Sequence, residues 1–265
     1  MDELIAHYNK FNEDKRLTRR HGQVEYTVTM HYIHQCLASV QEHAPHPRIM
    51  DIGAGTGRYC VALAEEGYDC TAVEYVPYNL SRLRAKNSSV VSYRGDARNL
   101  KRFPDASYDV TLLFGPMYHL YTFADKQKAL AEAARITKPG GFLLVAYLMN
   151  EYAVLTFGFK EGHVSECLSD GRLTSDYHCV STPRDLYEYV RLEDINALND
   201  SLHLQRHKIL SADGAADYMR REINAMDEET FAHFIRYQLT VCERPELLGA
   251  GSHIVDILRI PQPDA

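Results

Sequence analysis

From about residue 47 the chain alternates short apolar runs with stretches in which apolar residues recur every three or four positions. Arg48-Ile-Met-Asp-Ile-Gly53 predicts a strand, and Arg58 to Glu66 a helix closed by Gly67, the residue type that most readily takes the left-handed turn at a helix end. Cys70 to Tyr75 predicts a second strand, followed by a helix through Leu80, Leu83 and Lys86. Val90 to Gly95, Asp109 to Phe114 and Gly141 to Leu148 predict three more strands. A helix from about Ala124 to Ile136 precedes the last of these and is stopped by Lys138-Pro-Gly-Gly141. Strands alternating with helices call for right-handed crossovers, and so for a parallel sheet covered on both faces.

The flanking segments follow other patterns. Met30, Ile33 and Leu37 recur at helical spacing, and Pro45 and Pro47 close that segment. Residues 150 to 184 hold no clean period. A helix is expected from about Asp185 to Leu198, a strand near Leu204 to Leu210, further helical turns, and a last strand from His253 to Ile260. The expected fold is α/β: a Rossmann-like, doubly wound sheet of seven mostly parallel strands, with a helical N-terminal segment and a lid inserted after the fifth strand. The corresponding divisions are residues 1–46, a core over 47–150, a lid on the acceptor side over 151–184, and 185–265 completing the sheet with a further helical cap. Excursions of that size commonly cover a site; the alternative is an oligomerising insertion.

Composition narrows the class. A chain of 265 residues, 45% hydrophobic and 25% charged, suits one large globular domain. A formal net charge of −7 argues against a broad electropositive surface. The 6 cysteines, Cys36, Cys60, Cys70, Cys167, Cys179 and Cys242, include no CxxC pair, which suits free thiols in a reducing cytoplasm. The charged N-terminus predicts no signal peptide, and Phe142 to Met149 is too short to span a bilayer, so no membrane partner is expected. His31 with His34, and His43 with His46, lack acidic or cysteine companions, so no metal site is expected.

The chemistry is concentrated in Asp51-Ile-Gly53-Ala-Gly55-Thr-Gly57, between the first strand and its helix. Glycines there bring bare main chain against a ligand, and the following helix presents unpaired N–H groups. Arg58 stands where a nicotinamide or flavin fingerprint has a small residue. Asp51 would repel a pyrophosphate but suits a ligand with an ammonium group. Glu74 closes the second strand, where an acid meets ribose hydroxyls.

These residues, in this order, resemble the core of class I S-adenosylmethionine-dependent methyltransferases over residues 48 to 150. RIMDIGAGTGRY resembles that family's glycine loop and AVEYVPYNL its ribose-binding strand end. YRGDARNL resembles its adenine-contacting turn, YDVTLLFGPMYHL its fourth strand, and ITKPGGFLLVAYL its approach to the fifth. The resemblance implies S-adenosylmethionine as cofactor and S-adenosylhomocysteine as product. It implies that Gly53, Ala54, Gly55 and Gly57 pass along the methionine and ribose, with Asp51 orienting the amino end. By the same resemblance Glu74 accepts the ribose hydroxyls, Asp96 and the Ala97 N–H serve the adenine, and Tyr75 lies beside the adenine face, while Phe114 ends the fourth strand at the cofactor.

Arg20, in the basic run Lys15 to His21, is the expected contact for the cofactor carboxylate; otherwise that run is a solvated helix face balanced by Glu13, Asp14 and Glu25. Gly115-Pro-Met-Tyr-His-Leu120 occupies the place of an Asn/Asp-Pro-Pro-aromatic motif found in amino-group methyltransferases, but with glycine first. Tyr118 and His119 are the expected catalytic pair at the pocket mouth, with His119 as base. Tyr152, His163, Tyr177 and His178 are candidates for an acceptor cavity in the lid. The leading expectation is methyl transfer to a small molecule. The second is a tRNA methyltransferase of the wobble-uridine carboxymethyl type, which the closing CERPELLGAGSHIVDILRI resembles more loosely. A third is a non-catalytic S-adenosylmethionine-binding protein, and a nicotinamide oxidoreductase ranks last. The oligomeric state is not legible.

Overall fold

The computed structural model describes Ile5 and residues 19–262. A helix α1 (Arg20–Gln41) leads into β1 (Arg48–Ile52), α2 (Arg58–Glu65), β2 (Asp69–Glu74), α3 (Pro77–Ala85), β3 (Val91–Arg94) and β4 (Tyr108–Leu113). Then come a short 3-10 turn (Pro116–Tyr118), α4 (Phe123–Ile136) and β5 (Thr137–Leu148). The remainder holds α5 (Asn150–Ala153), which widens into a π-helical stretch (Val154–Lys160), α6 (Val164–Ser169), α7 (Leu192–Ser201), β6 (Gln205–Ser211), α8 (Arg220–Ala225), α9 (Glu228–Val241) and β7 (His253–Arg259).

All seven strands form one sheet in the order β3-β2-β1-β4-β5-β7-β6. The pairs among β1 to β5 are parallel, while β7 runs antiparallel to both β5 and β6. Strand alternation sorts the core onto two faces. Ile49, Ala72, Val110, Leu112 and Leu144 face α1 and α2, whereas Met50, Ile52, Val73, Leu113 and Val145 face α4 and α7. Order reverses at β1 and β4, which opens a crevice at their carboxyl ends. The segment through Met30, Ile33 and Leu37 is helical, and all three side chains are buried in α1.

Two boundaries depart from the sequence expectations. β5 starts at Thr137, ahead of Pro139, because Thr137 pairs with Tyr108 before a register shift that rejoins the ladder at Phe142. The helix expected from Asp185 begins only at Leu192. The chain before it is extended: Val190 pairs in parallel with Met149, and the Glu188 N–H donates to the Tyr118 carbonyl at 2.9 Å. The aromatic and branched Tyr187, Tyr189 and Val190 suit that path, while Asp194 supplies the capping carboxylate for α7 by accepting from the Arg191 N–H at 2.7 Å.

Candidate active site

The crevice is framed by the bend after β1. Gly53, Gly55 and Gly57 have φ of 79°, 56° and 85°, the left-handed region that favours glycine. A Cβ on Gly53 would lie 2.4 Å from Pro116 Cδ, and one on Gly57 2.9 Å from Leu83 Cγ; one on Gly55 would meet nothing within 4 Å. Gly53 and Gly57 are therefore held by packing, whereas Gly55 faces open space.

Glu74 supports the bend from below. Its Oε2 accepts from the Gly55 N–H at 2.7 Å and its Oε1 from the Val76 N–H at 2.7 Å. Burial pushes its carboxyl above the ordinary range, and the N–H groups of Val76, Gly55 and Tyr75, with the Asn79 side chain, offset this only in part.

Asp51 is 1% exposed, and among the described residues neither carboxylate oxygen has a partner at full hydrogen-bond geometry, the donors beside it being the Cys60 N–H and thiol. Burial pushes its pKa up to about 7; the nearby Cys60 thiol and main chain lower it too little to compensate, and the Glu74 charge adds to the rise. A buried carboxylate without partners is costly unless a cation joins it. Thr29 of α1 also lines the cleft, with a buried, unpartnered hydroxyl.

The expected residues Asp51, Gly53, Ala54, Gly55, Glu74, Tyr75, Asp96, Ala97, Phe114, Tyr118 and His119 all line this one cleft. Gly57 stands behind it as the residue that caps α2. Burial alone would raise the Asp96 carboxyl, but the Arg98 side chain and N–H hold it below its ordinary range, with Arg98 Nη2 at 2.7 Å from Oδ2. His119 Nδ1 lies 2.9 Å from the Leu186 carbonyl, which only accepts, so Nδ1 carries the proton and Nε2 is the basic nitrogen.

Several expectations fall elsewhere. Arg20 does not line the cleft; its guanidinium sits 5.5 Å from the Phe231 ring centroid on α9. In the segment expected to form a lid, the Tyr152 hydroxyl accepts from Arg220, His163 stacks on Phe157 and His178 pairs with Asp194. None of these, nor Tyr177, lines the cleft. Lys15 and Arg16 lie outside the described residues.

Sequence reasoning missed the contribution of α1 and of β7. Glu25 and Thr29, one helical turn apart, face the cleft, as do Tyr59, Asn79, Ala212 and His253. The i, i+4 polar pair within an apolar helix was a usable signal. His253 carried none, because its partner Asp213 lies 40 positions away. Their Nδ1–Oδ2 distance is 2.8 Å, and Asp213 Oδ1 also accepts the His253 main-chain N–H at 3.1 Å. Burial raises the Asp213 carboxyl, and His253 draws part of that rise back. Asp213, Asp217 and His253 bring ligand-type atoms within 4.8 Å of one another. The Asp213–His253 hydrogen bond and the Asp217–Arg220 ion pair at 3.0 Å satisfy them within the protein.

Residues 50–145 match the methyltransferase domain family. A demethylmenaquinone methyltransferase of Renibacterium salmoninarum is 37% identical over 115 residues, 43% of this chain and 45% of that protein, so the chain spans less than half the length of that relative. A demethylmenaquinone methyltransferase of Mycobacterium bovis is 32% identical over 181 residues, 68% of this chain and 72% of that protein. The chain belongs to the class I S-adenosylmethionine-dependent methyltransferases. A solved structure of a methyltransferase of that type from Methanosarcina mazei shares the fold, with a TM-score of 0.54 at 12% identity, covering 82% of this chain and 94% of the other.

The methyltransferase cofactor, S-adenosylmethionine, carries an ammonium group, a ribose diol and an adenine. The cleft offers a buried carboxylate at Asp51 with no cation beside it among the described residues, acids at Glu74 and Asp96, and open space beside Gly55. In charge and space the residues fit the group. Among the described residues no helix is long and apolar enough to cross a membrane.

Proposed function

We propose that this chain transfers a methyl group from S-adenosylmethionine to a small-molecule acceptor, held between the carboxyl edge of the sheet, α1 and the lid. The observation that carries the reading is the pairing of a buried Asp51, with no cation beside it among the described residues, with an open left-handed bend at Gly55. Asp51 answers the cofactor's ammonium, Glu74 its ribose diol through charge-assisted hydrogen bonds, and Asp96 with the Ala97 N–H its adenine. Tyr75 packs beside the ring, and Phe114 with Gly53 and Ala54 walls the centre. Bound there, S-adenosylmethionine supplies a methyl group on a sulfonium, a leaving group that needs no further activation. The protein's task is then alignment and exclusion of water.

Tyr118 and His119 wall the acceptor side. Their main and side chains are tied to the lid stem through Glu188 N–H and the Leu186 carbonyl. The segment before α7 thereby braces this wall from outside the cleft. Two relatives named for demethylmenaquinone support a small-molecule acceptor over RNA, as does the acidic character that Glu25 and Asp213 give this end of the cleft. Free thiols at all six cysteines support a cytoplasmic setting.

The test is S-adenosylhomocysteine release from S-adenosylmethionine in the presence of a panel of phenols, hydroquinones, amines and total tRNA. Turnover with a small molecule and none with tRNA is the expected result. Turnover on tRNA alone, weakening steeply with salt, would reverse the choice of acceptor.

A further inference from the structure

Asp51 and Glu74 stand on β1 and β2, at one end of the cleft. His253 stands on β7, three strand spacings from β1, a separation of about 14 Å across the sheet. Between them the floor consists of small apolar groups, Ala146, Ala212 and Val255, and the wall of aromatic ones, Phe114 and Tyr118. A flat ring fits such a slot.

The imidazole of His253 is gripped at two points by one residue. Asp213 is 2% exposed and accepts both the Nδ1–H and the main-chain N–H of His253. A carboxylate accepts and does not donate, so Nδ1 carries the proton and Nε2 is the proton-accepting nitrogen. Charged groups around the ring among the described residues include Glu25 of α1, with Oε2 3.9 Å from Nδ1, and Asp217, itself paired with Arg220 of α8. Arg220 also donates to the Tyr152 hydroxyl of α5 at 3.1 Å, and His21 of α1 adds its field at Asp217. Among the described residues Asp213, Asp217 and Glu25 set more negative than positive charge beside the ring, which stabilises the charge it acquires when it takes a proton.

We propose that His253, oriented by Asp213, is the catalytic proton acceptor for the methyl acceptor, and that this acceptor is an aromatic ring bearing an acidic hydroxyl. This rests on the methyl-transfer reading above. The acceptor oxygen forms the new O–CH3 bond while its proton passes to His253 Nε2. The methyl–sulfur bond breaks with its electron pair going to sulfur, and the ring later returns the proton to water. A phenolic hydroxyl, near the tyrosine value of about 10, is within reach of an imidazole near about 6.5, whereas an aliphatic alcohol is not. Asp213 is a positioning residue.

The test uses 4-nitrophenol, whose phenolate absorbs visible light, titrated against the full chain saturated with S-adenosylhomocysteine. The acid constant of the bound phenol should rise tenfold or more relative to free probe, which lowers its ionisation midpoint. His253→Gln, or His253→Asn should the first variant not fold, should abolish that shift while leaving S-adenosylhomocysteine affinity within about twofold. Asp213→Asn should move the midpoint part of the way and alter its pH dependence, which loss of packing alone would not do. Failure of 4-nitrophenol to bind, or an equal midpoint in wild type and His253→Gln, would overturn the assignment. Failure of S-adenosylhomocysteine to bind the wild type would instead overturn the methyl-transfer reading beneath it.

Discussion

The Gly55 N–H donates to Glu74 Oε2 at 2.7 Å, tying the glycine bend after β1 to the last residue of β2. One carboxylate thus fixes the loop and, with its remaining lone pairs, faces the cleft.

Glu74→Ala should therefore weaken S-adenosylhomocysteine binding by about 1–3 kcal/mol, roughly 5- to 150-fold, through loss of charged hydrogen bonds. Glu74→Gln, which keeps one acceptor oxygen, should lose less. Calorimetry reads both; equal affinity for Glu74→Ala and wild type would contradict the role.

Two glycines of the same bend should fail differently. Gly53→Ala drives a Cβ against Pro116 Cδ and the Phe114 carbonyl, so it should lower the melting temperature. Gly55→Val meets open space, so its strain is limited to φ of 56°, and the fold should survive with cofactor binding abolished. A Gly55→Val protein that binds as well as wild type would place the ligand elsewhere.

Asp51 predicts a pH signature. With its pKa near 7 in the free protein, the carboxyl is largely protonated at pH 6 and must ionise to hold an ammonium. Binding at pH 6 should release close to one proton, and affinity should rise about eightfold by pH 7.5. Heats measured in buffers of different ionisation enthalpy report this directly, and Asp51→Asn should remove it. The sign for stability is opposite. A carboxyl raised on folding stabilises the fold below its unfolded pKa, and that contribution is lost as pH climbs toward 7. Asp51→Asn should therefore melt several degrees higher than wild type at pH 8, with a smaller difference at pH 5.

Asn150, 1% exposed, pins the lid to the sheet. Its Nδ2 donates to the Tyr177 carbonyl at 3.0 Å and its Oδ1 accepts from the Cys179 N–H at 2.7 Å. Asn150→Ala should cost about 1–3 kcal/mol locally and speed hydrogen exchange over residues 174 to 190, with β1 to β4 unaffected. Uniform exchange across the chain would contradict that local role.

Much of this was legible along the chain, for reasons that individual residues display. Strands buried on both faces read as apolar runs, as in Phe142 to Leu148, and the Gly-rich bend announces itself because only glycine takes those φ values without strain. Local order brought Asp51, Glu74 and Asp96 to one cleft, the first within β1, the second at the end of β2 and the third two residues past β3. What stayed hidden depends on contacts distant in sequence. Thr182 and Asp185 look like a helix start, yet Asp185 Oδ2 accepts from the Thr182 N–H at 2.7 Å within a turn, and the chain runs on extended to cover β5. The pairing of His253 with Asp213 arises only when β7 lies beside β6. Arg20 misled because a charge run says nothing about which face of α1 meets the cleft, and the aromatic Phe231 claimed it.

A crystal structure of the chain grown with S-adenosylhomocysteine tests the central claim most directly. The expected density lies against Gly55, with the ribose diol at the Glu74 carboxylate and the ammonium at Asp51. Density absent from that cleft, or a ligand lodged away from both acids, would contradict it.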